Sequence, residues 1–322
     1  MTGATGFTGG WLARHLVRTG DEVRALVRPA SRAAGDALGT TGIEAVTGDL
    51  CDAASLATAC VGVEVVYHIA ASYRTAGQPA SGYREVNTEG TRRLLEAAEA
   101  AGVRRFVHCS TGGVHGHIEH PPATEDAPLA PGDVYQETKL EGERVARAAG
   151  ESGHIDVVVA RPIGIYGPGD TRFLKLFRLA GGHVMLGAGE AFYHLTFVED
   201  LVEGFRLCGT VPDAAGRTYL LAGTRYTTLR ELVALIAAEL GTRPPRLRIP
   251  VWPVWLAGAL CELVCVPLRV EPPLYRRRVE FFTKSRAFDA SRAGRELGFA
   301  PQVDLEDGIH RTAVWYREQG LL

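Results

Sequence analysis

Short apolar runs alternate with amphipathic helical stretches through the first half of this 322-residue chain, and no other feature narrows its fold as much. Val23–Val27 (VRALV), 43–46, 63–69 (VEVVYHI), Arg105–Cys109 (RFVHC) and 155–160 (IDVVVA) have strand character. Between them, 9–18, 31–38, 52–60, 83–101 and 133–149 carry helical periodicity. That order predicts an α/β fold, a doubly wound parallel sheet with helices on both faces. After Arg161-Pro162 the pattern loosens into Gly- and Pro-rich loops, with helices expected at 229–240 and 254–264. Residues 1–162 read as a nucleotide-binding domain. Residues 163–193 and 223–322 read as a smaller, mostly helical substrate lobe, and 194–222 as a return to the first domain, with a strand and helix over 196–207.

The chain opens on TGATGFTG at 2–9, a T-G-x-x-G-x-x-G loop. Gly3, Gly6 and Gly9 permit a tight turn, a close backbone approach to a pyrophosphate, and close packing of the next helix. The helix start near Phe7 then points free N–H groups at the phosphates. Such a loop normally follows a strand, yet only Met1 precedes it. The missing strand would be the central one, between those at Val23 and Val63, so the Rossmann-like sheet is expected to lack its first strand. The expectation is a native product beginning about six to eight residues upstream, a typical strand length; a natural truncation with impaired cofactor affinity is the competing idea. Arg28 ends the strand at Val23–Val27, in a segment (ALVRPASR) with two Arg and no acid. A carboxylate there would favour NAD, whereas Arg suits a 2′-phosphate, so NADP is the preferred cofactor and NAD the alternative. Asp49 and Leu50 follow the next strand, where a carboxylate can accept from an adenine amine.

Tyr135 and Lys139 form Y-x-x-x-K on a helical stretch, which puts phenol and ammonium on one face. A phenol is a poor base at neutral pH, and a nearby ammonium favours its ionised form. Tyr135 is therefore the candidate proton acceptor from a substrate hydroxyl. The chain has only three Lys among 35 basic residues, so a compact ammonium at 139 reads as chosen rather than incidental. Ser110 and Thr111 follow a strand's C-terminal end, facing the ligand crevice of such folds, and either can hydrogen-bond the substrate oxygen.

Other chemistries fit less well. A net charge of −2 argues against a nucleic-acid partner. No apolar signal segment precedes the glycine loop, and six Cys without C-x-x-C spacing suit reduced thiols in the cytoplasm. His115, His117 and His120 sit in a Gly/Pro-rich loop without partnering carboxylates, and no metal site is expected there or at Cys261 and Cys265.

Together these residues resemble an extended short-chain dehydrogenase/reductase, of the NAD-dependent epimerase/dehydratase superfamily. The resemblance rests on TGATGFTG, GDL at 48–50, YHIAA at 67–71, NTEGTRRLLEAA at 87–98, STGGVHG at 110–116, YQETK at 135–139, RPIGIYGPGD at 161–170 and FVEDLVEG at 197–204. It implies Thr111 as the hydroxyl partner, Tyr135 as the proton shuttle, and Lys139 as the residue holding nicotinamide ribose. It further implies that Ala70 and Ala71 line the cofactor, that Pro162 lies beside the nicotinamide, and that Asn87 supports the site. A homodimer through 83–101 and 133–149 is also implied.

Gly112-Gly113 stand where dehydratases of this family carry Asp-Glu, which argues against water loss. Tyr193 stands where sugar-nucleotide epimerases commonly carry Arg, with Arg225 and Arg276 as substitutes for that clamp. YHLTFVED at 193–200 resembles the 3β-hydroxysteroid dehydrogenase branch, and VRALVR the dihydroflavonol reductases. The apolar stretch 251–268 (VWPVWLAGALCELVCVPL) is slightly short and interrupted for a spanning helix, so buried core is the favoured reading. The alternatives there are an apolar wall for a lipid-like substrate, or a membrane-surface contact beside Arg269 and Arg276–Arg278. The expected activity is NAD(P)-dependent interconversion of a secondary alcohol and ketone on a hydrophobic, steroid- or terpenoid-like small molecule. A nucleotide-sugar 4-epimerase and a non-catalytic NADP-binding regulator are the alternatives.

Overall fold

β-Branched and aromatic side chains build the central sheet of the computed structural model, which describes residues 1–73, 78–265 and 279–322. Its strands are β1 (Val23–Val27), β2 (Ile43–Thr47), β3 (Val65–His68), β4 (Arg105–Cys109) and β5 (Asp156–Pro162). All five residues of β4 are buried, as befits a parallel strand covered on both faces. β1 pairs with β2, β3 with β4, and β4 with β5, all parallel. At the centre, where the first strand was expected to be missing, Thr2 bridges Leu26 of β1 on one side and His68 of β3 on the other. Thr2 N donates to Tyr67 O and Leu26 N to Met1 O, at 3.0 and 2.9 Å. Beyond them Arg24 reaches across from β1 to donate to Val61 O at 2.6 Å.

Helices cover both faces. α1 (Phe7–Arg18), α2 (Arg32–Gly39), α3 (Ala53–Cys60), α4 (Ala80–Arg84), α5 (Gly90–Ala100) and α6 (Val134–Glu151) alternate with the strands. A π-helical turn, Glu85–Glu89, joins α4 to α5 in one continuous rod. Leu56, Leu94, Leu95, Phe106, Val157 and Val159 fill the layer under α3, α5 and α6. On the opposite face Leu12, Leu16, Val107, Val158 and Phe205 share a second cluster.

The second half of the chain is mixed. β6 (Ile165–Tyr166), α7 (Leu174–Ala180), β7 (Val184–Leu186), β8 (Phe192–His194) and β9 (Thr196–Phe197) lead into α8 (Val198–Thr210), which packs on α1 and on the main sheet. The strand beginning at Thr196 pairs with β6 rather than the main sheet. It is β10 (Thr218–Leu221) that returns, beside β5. β11 (Tyr226–Thr228) pairs with β8, and α9 (Leu229–Glu239), N-capped by Thr228, packs on α7. β12 (Leu247–Ile249) pairs with β7 and runs into α10 (Val251–Cys265). α11 (Ser291–Leu297) and α12 (Leu305–Glu318) close the chain, with Phe177, Leu232, Ile236 and Tyr316 in the lobe's own core.

One expectation fails here. The stretch 251–265 is not core, since Gly258 is the one buried residue of α10. Residues of α7, α9 and α12 already fill the lobe's interior. Residues 266–268, Arg269 and Arg276–Arg278 lie outside the described residues.

Candidate active site

The glycine loop is a cradle that side chains would fill. Gly3 has φ +78°, and a Cβ on it would meet Ala70 N at 2.8 Å; a Cβ on Gly9 would meet Gly3 O at 2.1 Å. Gly6 is extended and caps α1 without any side-chain acceptor, and the first turn holds no acid. The N–H groups of Phe7, Thr8 and Gly9, ahead of the first intrahelical bond from Gly10 N to Gly6 O, are thus left for an outside anion. A cleft of ≈ 480 Å³ opens beside the loop, lined by Thr5, Gly6, Phe7, Trp11, Arg14, Pro168, Gly169 and Trp315. It reaches the loop but not Thr111, Tyr135 or Lys139.

A buried hydrogen-bonded chain ties this cradle to the helix carrying Tyr135. Ala70 N donates to Thr2 Oγ1 at 3.1 Å, and Thr2 Oγ1 meets His68 Nδ1 at 2.8 Å. His68 Nε2 meets Thr91 Oγ1 at 2.9 Å, and Thr91 donates to Asn87 O at 2.8 Å. Because Thr91 gives its proton to Asn87, the network assigns the hydrogen of His68 to Nε2. Burial, then the charges of Lys139 and the N-terminus, holds His68 down to about 3, so it stays neutral. The Asn87 amide accepts from Ser72 N, donates to Ser72 O, and donates to Thr138 Oγ1 on α6. Asn87 sits on the π-helical turn, whose extra residue per turn aims it at both elements.

Tyr135 and Lys139 lie one turn apart on α6, whose Asp133 N-cap accepts from Gln136 N at 2.8 Å. Lys139 is 2 % exposed; burial lowers its pKa, opposed by Cys109 and Glu143. Tyr135 is half-buried, its ring edge-on to Tyr73 with centroids 4.8 Å apart. The Arg172 guanidinium lies over Tyr73 at 5.5 Å and over Phe7 at 5.8 Å, bridging from the cradle to the phenol. Its Nε donates to Asp170 at 2.7 Å.

Of the two hydroxyls after β4, the structure leaves one reachable. Ser110 is 1 % exposed and donates to Glu143 Oε2 at 2.7 Å. Thr111 is half-buried; its Oγ1 accepts from Gly113 N at 3.1 Å, leaving its own hydrogen to give. Beneath both, Arg161 Nε donates to Glu143 Oε2 at 3.0 Å, and its Nη1 to Glu125 O at 2.9 Å and His115 Nε2 at 3.0 Å. His115 is therefore a member of this buried network, its Nδ1 on Pro128 O at 3.2 Å.

The remaining expected positions are scattered around this centre. Arg28 is exposed past the end of β1, with no ion pair among the described residues. Asp49 accepts from Cys51 N at 2.9 Å. The Leu50 side chain packs in the core under α3 and α5, so that only its backbone is on offer to an adenine. Ala70 and Ala71 follow the end of β3, with Ala70 against Gly3 of the loop, and Pro162 is the last residue of β5. Arg225 is unavailable as a substitute clamp, being paired with Glu231 at 2.7 Å and Glu306 at 2.6 Å. Arg276 lies outside the described residues. Sequence reading missed His68, Thr91, Tyr73, Arg172 and the Arg161–Glu143 pair. A buried His, an Arg before Pro and a Glu one turn past Lys139 were the available signals.

Residues 1–222 match the NAD dependent epimerase/dehydratase family. The chain is 31% identical to sterol demethylase protein B of Methylococcus capsulatus, over 100% of this chain and 99% of that one. It is 29% identical to 3beta-hydroxysteroid-dehydrogenase/decarboxylase isoform 1 of Arabidopsis thaliana, over 97% of this chain and 78% of that one. Among solved structures, it superposes with TM-score 0.77 and 29% identity on DesIV, a dTDP-glucose 4,6-dehydratase from Streptomyces venezuelae with NAD bound, covering 98% of this chain and 96% of that one.

Proposed function

The chain belongs to the NAD dependent epimerase/dehydratase family and is an enzyme of the extended short-chain dehydrogenase/reductase type; on that premise we propose that it interconverts a secondary alcohol and a ketone on a hydrophobic, sterol- or terpenoid-like molecule. The observation that carries the reaction type is the space around Gly112. Neither Gly112 nor Gly113 carries the carboxylate a dehydration needs, and a Cβ at Gly112 would first have to displace the Ile163 Cδ1 methyl, 2.0 Å away. What remains is a single proton-transfer centre. The sterol-linked relatives support the substrate class, as does Tyr193, whose buried ring packs on Phe281 where a charged clamp would otherwise stand.

The residues present fit a nicotinamide dinucleotide, whose ring, when bound, supplies the site with a hydride acceptor or donor. Gly3, Gly6 and Gly9 with the start of α1 would hold the pyrophosphate, Asp49 the adenine, and Ala70, Ala71 and Pro162 the nicotinamide end. Thr111 donates to the substrate oxygen and fixes its direction. Tyr135 takes the hydroxyl proton at its phenolic oxygen during oxidation and returns it during reduction. Lys139 favours the ionised phenol and would hold the nicotinamide ribose. Six free thiols suit a reducing compartment, and the cytoplasm is the place we assign.

A screen of hydrophobic secondary alcohols and ketones, run with NADPH and NADH in parallel, tests this reading. Net nicotinamide turnover with exchange of free cofactor is the expected result. Retained cofactor with no net turnover, together with conversion of a nucleotide sugar to its 4-epimer, would overturn it. Arg28 carries the NADP preference in the proposal. Arg28→Asp is expected to weaken NADPH binding at least about tenfold, the worth of one charge-assisted contact, while NADH binding holds or improves. An unchanged NADPH to NADH ratio would remove the preference.

A further inference from the structure

α10 is out of place on a protein surface. Trp252, Trp255, Leu256, Leu260, Leu263 and Val264 are between 45% and 71% exposed. At about 100° per residue these six cover roughly half the helix circumference, and no charged residue stands among them. Glu262 lies at the margin and is half-buried. A helix apolar all round is normally covered on every side, and this one is covered on one. Among the described residues no helix is long and apolar enough to cross a membrane. The fifteen described residues of α10 span about 22 Å against a hydrocarbon core of about 30 Å, a length that suits a helix lying along a bilayer face.

The segment leading into the helix supplies the matching charge. Arg243, Arg246 and Arg248 are all exposed, and none has an ion pair or hydrogen bond among the described residues. They alternate with Leu247, 61% exposed, and Ile249, 38% exposed. On a helix lying along the bilayer, the indoles and aliphatic side chains of the arc share one face toward the acyl boundary, and the preceding cations suit the phosphates at the headgroup level. A contact with a second copy of this chain would cover the apolar arc but leave the three cations without a purpose.

We propose that β12 and α10 seat this protein on an anionic lipid surface, with the exposed arc of α10 in the acyl boundary and Arg243, Arg246 and Arg248 on lipid phosphates. The seat is independent of the reaction assigned above.

Cosedimentation of the full chain with phosphatidylglycerol-containing and pure phosphatidylcholine vesicles is the test. Binding to the anionic vesicles is expected, weakened by salt, with a blue shift of tryptophan emission. Trp252→Ser with Leu263→Ser is expected to cut binding at least about tenfold. Arg246→Ser with Arg248→Ser should cut it comparably on anionic vesicles and leave the weak phosphatidylcholine binding unchanged. The arginine pair keeps the test decisive even where the apolar pair fails to fold, because it changes only exposed side chains. Absence of vesicle binding overturns the proposal, and so does binding that neither pair reduces. So does a dimer in solution that the apolar pair dissolves while vesicles bind nothing.

Discussion

Tyr135→Phe is expected to lower kcat by about 10²–10⁴-fold while cofactor affinity stays within about twofold, the usual scale for losing a positioned acid–base group. The change removes one oxygen and keeps the ring. The edge-on packing against Tyr73 survives, as do the Asp133 cap of α6 and the burial of Lys139 one turn further on. The glycine cradle is made by other elements and should not register the loss. Steady-state kinetics beside a fluorescence titration of NADPH separates these effects. A fall in affinity matching the fall in kcat would mean that the phenol only helps to shape the pocket. Activity within about tenfold of the parent would mean that another group moves the proton, and the functional reading would fail with it. A cofactor-binding regulator makes the opposite forecast, since its biological output would not depend on the phenol.

What the sequence reveals of this molecule is what local spacing encodes. The glycines at 3, 6 and 9 announce a phosphate cradle because backbone approach leaves no room for Cβ atoms, and the close distances around Gly3 and Gly9 are that same fact in space. Tyr135 and Lys139 are legible because one helical turn separates them. β5 is legible because a strand buried on both faces is apolar almost throughout, as the run VVVA at 157–160 is. Contacts that join distant segments leave no such trace. Thr2 and His68 are 66 residues apart, and Asn87 and Thr138 are 51 apart, yet together they align the cradle with α6. The strands β6, β7, β8, β9, β11 and β12 are two or three residues long, shorter than the alternation that identifies a strand. α10 shows the limit from another direction. Its composition states that it must be covered and is silent on whether protein or lipid covers it.

The second large effect is on stability. Arg161→Met is expected to cost about 3–5 kcal/mol of folding free energy, the usual consequence of stripping one partner from a buried ion pair. Arg161 on β5 and Glu143 on α6 are 2% and 1% exposed at their side chains. Glu143 accepts from the Arg161 Nε and Nη2 and from the Ser110 hydroxyl. Without the guanidinium, the carboxylate keeps a single hydroxyl donor in a site closed to water, while Glu125 O and His115 Nε2 lose theirs. Pairing Arg161→Met with Glu143→Met removes both charges and is expected to recover most of the loss, since the two side chains are directly coupled. Urea unfolding of the two single variants and the double variant measures the coupling. Additive losses would show that the pair does not act as a unit. The same network holds Ser110 next to Thr111, so the single variants should also lower kcat, by loosening the turn that aims the reachable hydroxyl. The double variant, with its core refilled, is expected to regain stability ahead of activity, because Ser110 still lacks its acceptor.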